Sequence, residues 1–420
     1  MTAPDTQTGK QSDARALLAD PPLAALLSAL DRDGEEARVV GGAVRDALLG
    51  ESVNDVDVCT TATPDEVERR VKALNWRAAP TGVEHGTWTV VIEGRAFEVT
   101  TLREDVETFG RKASVKFGRD FRADALRRDF TINALSLDRS GAIHDYAGGL
   151  DDLTHRRVRF IGDPAQRIRE DYLRILRFLR FHARFASGPL DRAGLAASIS
   201  LRAGLDGLSR ERVRWEILKL VVTPGAVETL TQADEAGFLL RIFGAPARVR
   251  RLAALTEQER ARGAQPDAVA RLAALTVEIV EDATRVRARL RLSNDEHDRL
   301  ERAARIAARL RGSAAPGEDG LRALLFASGR RAATDGLGLA CLDAALDIKP
   351  GFEAALAALP SLDEPHAPFN GDDLLTRGVP RGRKLGAALK WLQAAWIRAG
   401  FPSDPVVLAQ LLDQAARMER

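Results

Sequence analysis

The sequence predicts an α+β protein, a mixed α/β head with a small sheet followed by an all-helical remainder. Three observations predict it. Between Arg38 and Tyr146, short β-rich runs alternate with helical stretches. After Asp152 the β-branched runs nearly vanish, and Ala-, Leu- and Arg-rich helical segments with Gly or Pro breaks continue to the end. The chain has 420 residues, too many for one compact core, so two or more domains are expected.

Residues 1–22 read as a loose, polar tail, and residues 23–30 as a helix. The expected strands are Arg38-Val39-Val40, Val56-Asp57-Val58, residues 87–92 and residues 96–101, with a helix over 64–74. Residues 164–185 read as one strong helix. Apolar residues make up 45% and charged residues 29%, which is an ordinary folded composition. The formal charge of +2 says little, because a polyanion needs only a local basic face. Cys59 and Cys341 lie too far apart in sequence for a zinc spacing and form no disulfide framework, so a reducing cytoplasm is expected. The N-terminus lacks a signal-peptide pattern, and no apolar run is long enough to span a membrane.

Gly41-Gly42-Ala43-Val44-Arg45-Asp46 follows an expected strand and opens a helix. A Gly pair there lets backbone N–H groups approach a phosphate, and Arg45 on the first turn is placed to add a charge. An ordinary Gly-Gly turn is the competing reading. Asp55-Val56-Asp57-Val58 follows. On a strand, i and i+2 share a face, so Asp55 and Asp57 project together. Two like charges on one face repel unless a cation lies between them, and Mg²⁺ suits such oxygen ligands together with substrate phosphates. An isolated Asp-x-Asp would read as a polar edge strand; the glycine loop upstream favours a joint metal and triphosphate site. Glu98, alternating with Phe97 and Val99, is the best third carboxylate for phosphoryl transfer, with a plain surface glutamate as the alternative.

Arg127-Arg128-Asp129-Phe130-Thr131-Ile132-Asn133 gathers cations and hydrogen-bonding groups around apolar residues. Arg128 is placed for phosphate, and Asp129 and Asn133 for a sugar hydroxyl; a capped helix start competes. Further on, Asp171 and Arg174 stand at i, i+3 of the expected helix, and Arg177 and Arg180 continue the ridge. Between Arg156 and Arg184, nine arginines face three acids, which is a local basic face. A carboxylate beside a guanidinium matches the amino donor and ring-nitrogen acceptor that cytosine and adenine share, and mismatches guanine and uracil. An intrahelical salt bridge is the commoner use of such a pair.

With Asp145-Tyr146-Ala147-Gly148-Gly149-Leu150-Asp151-Asp152-Leu153 and Leu208-Ser209-x-Glu211-Arg212-Val213, these blocks stand in one order. That ordered set resembles the motifs of class II tRNA nucleotidyltransferases (CCA-adding enzymes) and the related bacterial poly(A) polymerases. It covers about the first half of the chain. The resemblance implies a polymerase-β-like nucleotidyltransferase head at 23–150, a base-reading neck at 151–222, a body at 223–310 and a tRNA-holding tail at 311–420. It implies that Asp55 and Asp57 bind Mg²⁺, that Gly42, Arg45 and Arg128 bind the nucleotide, that Asp171 and Arg174 read the base edge, and that Arg177 and Arg180 help hold the nucleotide. The residue reading above adds Glu98 to the catalytic carboxylates and Gly41, Asp129 and Asn133 to the nucleotide site. Residues 103–124 would be a mobile loop. The implied partners are the tRNA 3′ end, CTP and ATP, with no membrane.

The implied activity is template-independent CCA addition. Poly(A) synthesis or partial CCA addition shares the motifs, and an inactive, RNA-binding head is a third possibility. In the C-terminal part, Asn370-Gly371-Asp372-Asp373 and Gly378-Val379-Pro380-Arg381-Gly382 look like a family tail segment, where glycines opening a basic helix either hold a phosphate or form a plain turn. His297-Asp298 is a lone dipeptide, not a hydrolase domain.

Overall fold

The computed structural model describes residues 14–82, 86–104, 116–347 and 351–418. The chain divides into two compact units, with the division after Phe238.

Among the described residues of the first unit, the strands are β1 (Ala37–Val40), β2 (Asp57–Thr60), β3 (Arg77–Gly82), β4 (Thr87–Ile92), β5 (Arg95–Thr101), β6 (Arg103–Glu104), β7 (Lys116–Phe117), β8 (Ser136–Asp138) and β9 (Ile143–His144). Seven make one mixed sheet in the order β3-β4-β5-β2-β1-β8-β9, and β6 and β7 make a separate ribbon. Only β2 and β5 run parallel; the other neighbours in the sheet are antiparallel. Val39, Val58, Val90, Phe97, Val99 and Leu137 are almost fully buried and supply the apolar core of the sheet.

The helices start where side chains satisfy free N–H groups. Asp20 caps α1 (Pro21–Leu30) and Thr63 caps a helix with Pro at its first position, Pro64–Ala73. Contrary to the expectation of a loose tail through residue 22, the described part of it is packed. Ala14 is fully buried and Arg15 donates to the Gly141 carbonyl at 3.1 Å. Residues 105–115 of the expected mobile loop lie outside the described residues, but residues 116–124 are ordered as β7 and the start of a helix, Phe121–Leu126.

The expected single helix over 164–185 is two. Residues Pro164–Glu170 form one and Arg174–Phe185 the next, with Asp171 between them in extended geometry (φ −154°, ψ 108°). The second helix buries Ile175, Phe178, Leu179 and Phe181. Phe178 and Phe181 pack on Phe130 and Phe160, with Phe130–Phe160 and Phe130–Phe181 centroids 4.9 and 5.2 Å apart. This aromatic cluster joins the isolated Phe130–Phe160 bridge to the helix Arg174–Phe185.

The second unit is helical throughout its described residues. Its helix Asn294–Leu310 begins with a capping box between Ser293 and Glu296. Near the C-terminus, Trp396 is buried against Phe326, Phe369 and Phe401, all edge-on at 4.9–5.6 Å.

Candidate active site

Parallel pairing of β2 with β5 sets Asp57 opposite Glu98. Both are exposed, while Val56, Val58, Phe97 and Val99 turn inward. Asp55 stands just before β2 rather than on it, and exposure alternates through Asp55, Val56 and Asp57. Lost hydration first, then the charges of Glu98 and Asp55, push the Asp57 carboxyl above the ordinary aspartate value, against the pull of Arg128. Such crowding of hard oxygen donors is the condition a divalent cation relieves, so this trio fits a metal. The tightest three-residue group of possible ligands among the described residues lies elsewhere, at His297, Asp298 and Glu301. There the Arg287 guanidinium stands 3.5 Å from His297 Nδ1, an unfavourable neighbour for a cation.

Gly41, with φ +69°, turns the chain from β1 into the helix Gly42–Leu48. A Cβ there would sit 2.7 Å from Arg128 Nη1, so only glycine leaves room for that guanidinium. Arg128 is held by Asp124, through Nε and Nη2 at 3.2 and 3.0 Å, and leans on the Cys59 sulfur at 3.7 Å. Burial alone would raise the Asp124 carboxyl; Arg128 and Arg127 outweigh it and hold it below the usual range. Burial pushes the Cys59 thiol up to about 12. The Asp57 carboxylate senses Arg128, so the cation and the acidic trio share one field.

Arg45, Asp129 and Asn133 are deeper than their expected roles suggest. Each is more than nine-tenths buried. Arg45 bonds Asp46 at 2.7 Å and Asn133 at 2.5 Å, and its guanidinium lies 4.1 Å from the Phe185 ring centroid. Asn133 in turn donates to Asp129 at 3.0 Å, and Asp129 accepts from Arg177 at 2.7 Å. These polar groups bond one another, a network that ties the glycine loop to the helix Arg174–Phe185.

The basic run is largely neutralised inside the unit. Arg157 and Arg159 pair with Asp152, Arg167 and Arg174 with Glu170, Arg177 with Asp129, Arg180 with Glu216, and Arg184 with Glu51. Seven of the nine arginines counted in the sequence therefore have carboxylate partners, which corrects the reading of an open basic face. Asp171 and Arg174 do not share a helix face. Asp171 accepts from the Leu173 amide at 3.0 Å and from Arg212 at 2.6 Å, while Arg174 turns to Glu170 and the Arg167 carbonyl. The two are nonetheless held one turn apart by a hydrogen bond from the Arg174 amide to the Asp171 carbonyl, 3.0 Å.

Sequence reading missed Asp124, Glu216 and Arg212 as holders of these groups. Arg212 lay inside a quoted block, so only its partner was hidden. Another quoted block is structural: Asp145 accepts three backbone N–H bonds, and fully buried Asp152 accepts from Thr131, Arg157 and Arg159.

Residues 37–159 match the poly A polymerase head domain family. The zebrafish (Danio rerio) mitochondrial CCA tRNA nucleotidyltransferase 1 is 42% identical over 228 residues, 54% of this chain and 53% of that protein. The Bacillus licheniformis CCA-adding enzyme is 38% identical over 233 residues, 54% of this chain and 57% of that protein. The aligned region thus spans about half the length of the curated relatives it matches. Among solved structures, the Bacillus stearothermophilus CCA-adding enzyme in complex with CTP superposes with a TM-score of 0.73 at 28% identity, over 95% of this chain and 99% of that one. The Thermotoga maritima CCA-adding enzyme complexed with tRNA shares the fold, with a TM-score of 0.68 at 18% identity over 96% and 98%.

Proposed function

We propose that this chain, whose residues 37–159 match the poly A polymerase head domain and which is 38–42% identical to CCA-adding relatives over about half its length, adds CCA to the 3′ end of tRNA from CTP and ATP. The observation that supports this is the Asp57–Glu98 register, which sets two carboxylates side by side, with Asp55 and Arg128 both near enough to act on Asp57. In the reaction the RNA 3′-hydroxyl oxygen bonds to the α-phosphorus of the nucleotide. The bond from that phosphorus to the bridging oxygen breaks, and pyrophosphate leaves.

Asp55 and Asp57 would hold Mg²⁺, with Glu98 alongside. A metal held there would supply charge stabilisation at the phosphoryl oxygens and would favour ionisation of the attacking hydroxyl. Gly41 and Gly42 open the backbone to the triphosphate, and Arg128, fixed by Asp124, offers it a cation. Asp171 and Arg174 form the acceptor–donor pair for the base edge; in this account nucleotide binding moves them from Arg212 and Glu170 onto the base. Arg177 and Arg180 hold the neighbouring wall through Asp129 and Glu216. The two buried thiols suit a reducing cytoplasm.

The test is incubation of the purified protein with tRNA lacking its 3′ end, Mg²⁺, and each labelled nucleotide singly and together. Two C additions, then one A, then arrest are expected. An open-ended A ladder would instead mean poly(A) synthesis, the reading that the name of the matched head-domain family favours. No incorporation by any nucleotide overturns both.

A further inference from the structure

Asp171 leaves helical geometry between two helices, and something other than the helix must fix its direction. Its own carboxylate supplies two ties, to the Leu173 amide and to Arg212. The third constraint is steric and involves the next residue. The Tyr172 ring lies over the backbone of Gly204, in the short 3₁₀ segment Arg202–Gly207. A Cβ built on Gly204 would fall 1.9 Å from Tyr172 Cδ1, 2.1 Å from Cε1 and 2.3 Å from Cγ. Gly204 is not among the positive-φ glycines, so its backbone would accept alanine. What it supplies is the space the ring fills.

We infer that the slot between Tyr172 and Gly204 is a specificity-determining lock that aims the base-reading carboxylate of Asp171. Tyr172 Cα is one peptide from Asp171, and the Tyr172 carbonyl accepts from the Ile175 amide at 3.2 Å as the next helix begins. A ring driven out of the slot therefore rotates the turn that carries Asp171 at one end and Arg174 at the other. Asp57 and Glu98 stand on the sheet and Asp55 just before it, and none of the three is moved by that rotation. The lock thus governs which base is accepted, not whether phosphoryl transfer proceeds. Tyr172 and Gly204 are positioning residues under this inference, which rests on the proposed nucleotide-adding activity.

The test compares wild type, Gly204→Ala, Tyr172→Phe, Tyr172→Ala and the double variant Gly204→Ala/Tyr172→Ala, with KM and kcat for each of the four nucleoside triphosphates on tRNA lacking its 3′ end. Gly204→Ala is expected to lower the preference for CTP over UTP by about tenfold, mainly through a higher KM for CTP, while the KM for tRNA holds. Tyr172→Phe keeps the ring and should match wild type. Tyr172→Ala empties the slot and should relax selectivity on its own. Adding Gly204→Ala to it should change nothing more, because the new methyl group acts only through the ring. Wild-type selectivity in both Gly204→Ala and Tyr172→Ala overturns the lock, and so does an equal fall for all four nucleotides. Should Gly204→Ala not fold, Tyr172→Phe against Tyr172→Ala still decides. A wild-type protein that adds no nucleotide overturns the underlying activity, a result distinct from CCA addition with unaltered selectivity in the variants.

Discussion

Asp57 carries a cost that its chemistry explains. Its carboxyl is raised by lost hydration and by Glu98 and Asp55. A carboxyl raised in the folded state favours folding below its unfolded pKa, and that advantage is lost as pH rises through the folded pKa. At neutral pH the ionised group therefore opposes folding, by an amount that solvent screening keeps small. Asp57→Asn should raise the thermal midpoint in metal-free buffer by about 2 °C while abolishing incorporation. Calorimetry showing a lower midpoint would contradict this. Asp124 has the opposite sign: its carboxyl is held down by Arg128 and Arg127, so its contribution is present above the unfolded pKa and fades as pH falls. Asp124→Ala strands two cations and should cost on the order of 2–3 kcal/mol of stability. It should also weaken nucleotide binding more than RNA binding, as titration calorimetry can separate.

The helix pair Pro164–Glu170 and Arg174–Phe185 shows why an apolar period is not enough at the scale of elements. Its apolar positions run straight through the break, because Ile168, Leu173 and Leu176 are buried on either side of it. Only the partners of Asp171 reveal that the chain leaves the helix there. Strand β3 was missed for a related reason. Arg77-Ala78-Ala79-Pro80-Thr81-Gly82 lacks the β-branched alternation of a strand, and it is tolerated as one because it lies at the sheet edge. Gly149, the first residue of the helix Gly149–Thr154, makes a sharper test. A Cβ there would stand 2.3 Å from the Thr131 carbonyl oxygen, a backbone atom that cannot swing aside. Gly149→Ala should destabilise the protein by roughly 2–3 kcal/mol in a denaturant titration. A midpoint equal to wild type would show that the close approach is not required.

At the scale of the molecule, many charges among the described residues are arranged in internal pairs. The chain has 62 basic and 60 acidic side chains, and the arginine-rich stretch that looked like an RNA-facing surface is mostly bonded to carboxylates. Its two thiols are both free and buried, one in each unit. With Cys59 pushed up to about 12 and Cys341 also raised by burial, thiolate is scarce at pH 8. Native protein should react slowly with a thiol-directed reagent at that pH and titrate two thiols in guanidinium. A fast single-thiol phase in the native state would contradict the packing around Cys59 or Cys341.

The sequence by itself determined what depends on local rules: the alternation that buries Val56 between exposed Asp55 and Asp57, the glycine turn before them and the order of the blocks. Those follow from period and backbone freedom within a few residues. Only the tertiary structure decided which charges meet. Parallel pairing of β2 and β5 set Glu98 against Asp57, Arg212 rather than Arg174 took the Asp171 carboxylate, and Asp124 claimed Arg128. The physical reason is that a guanidinium reaches any carboxylate the fold brings within a few ångströms, and sequence spacing carries no information about that choice.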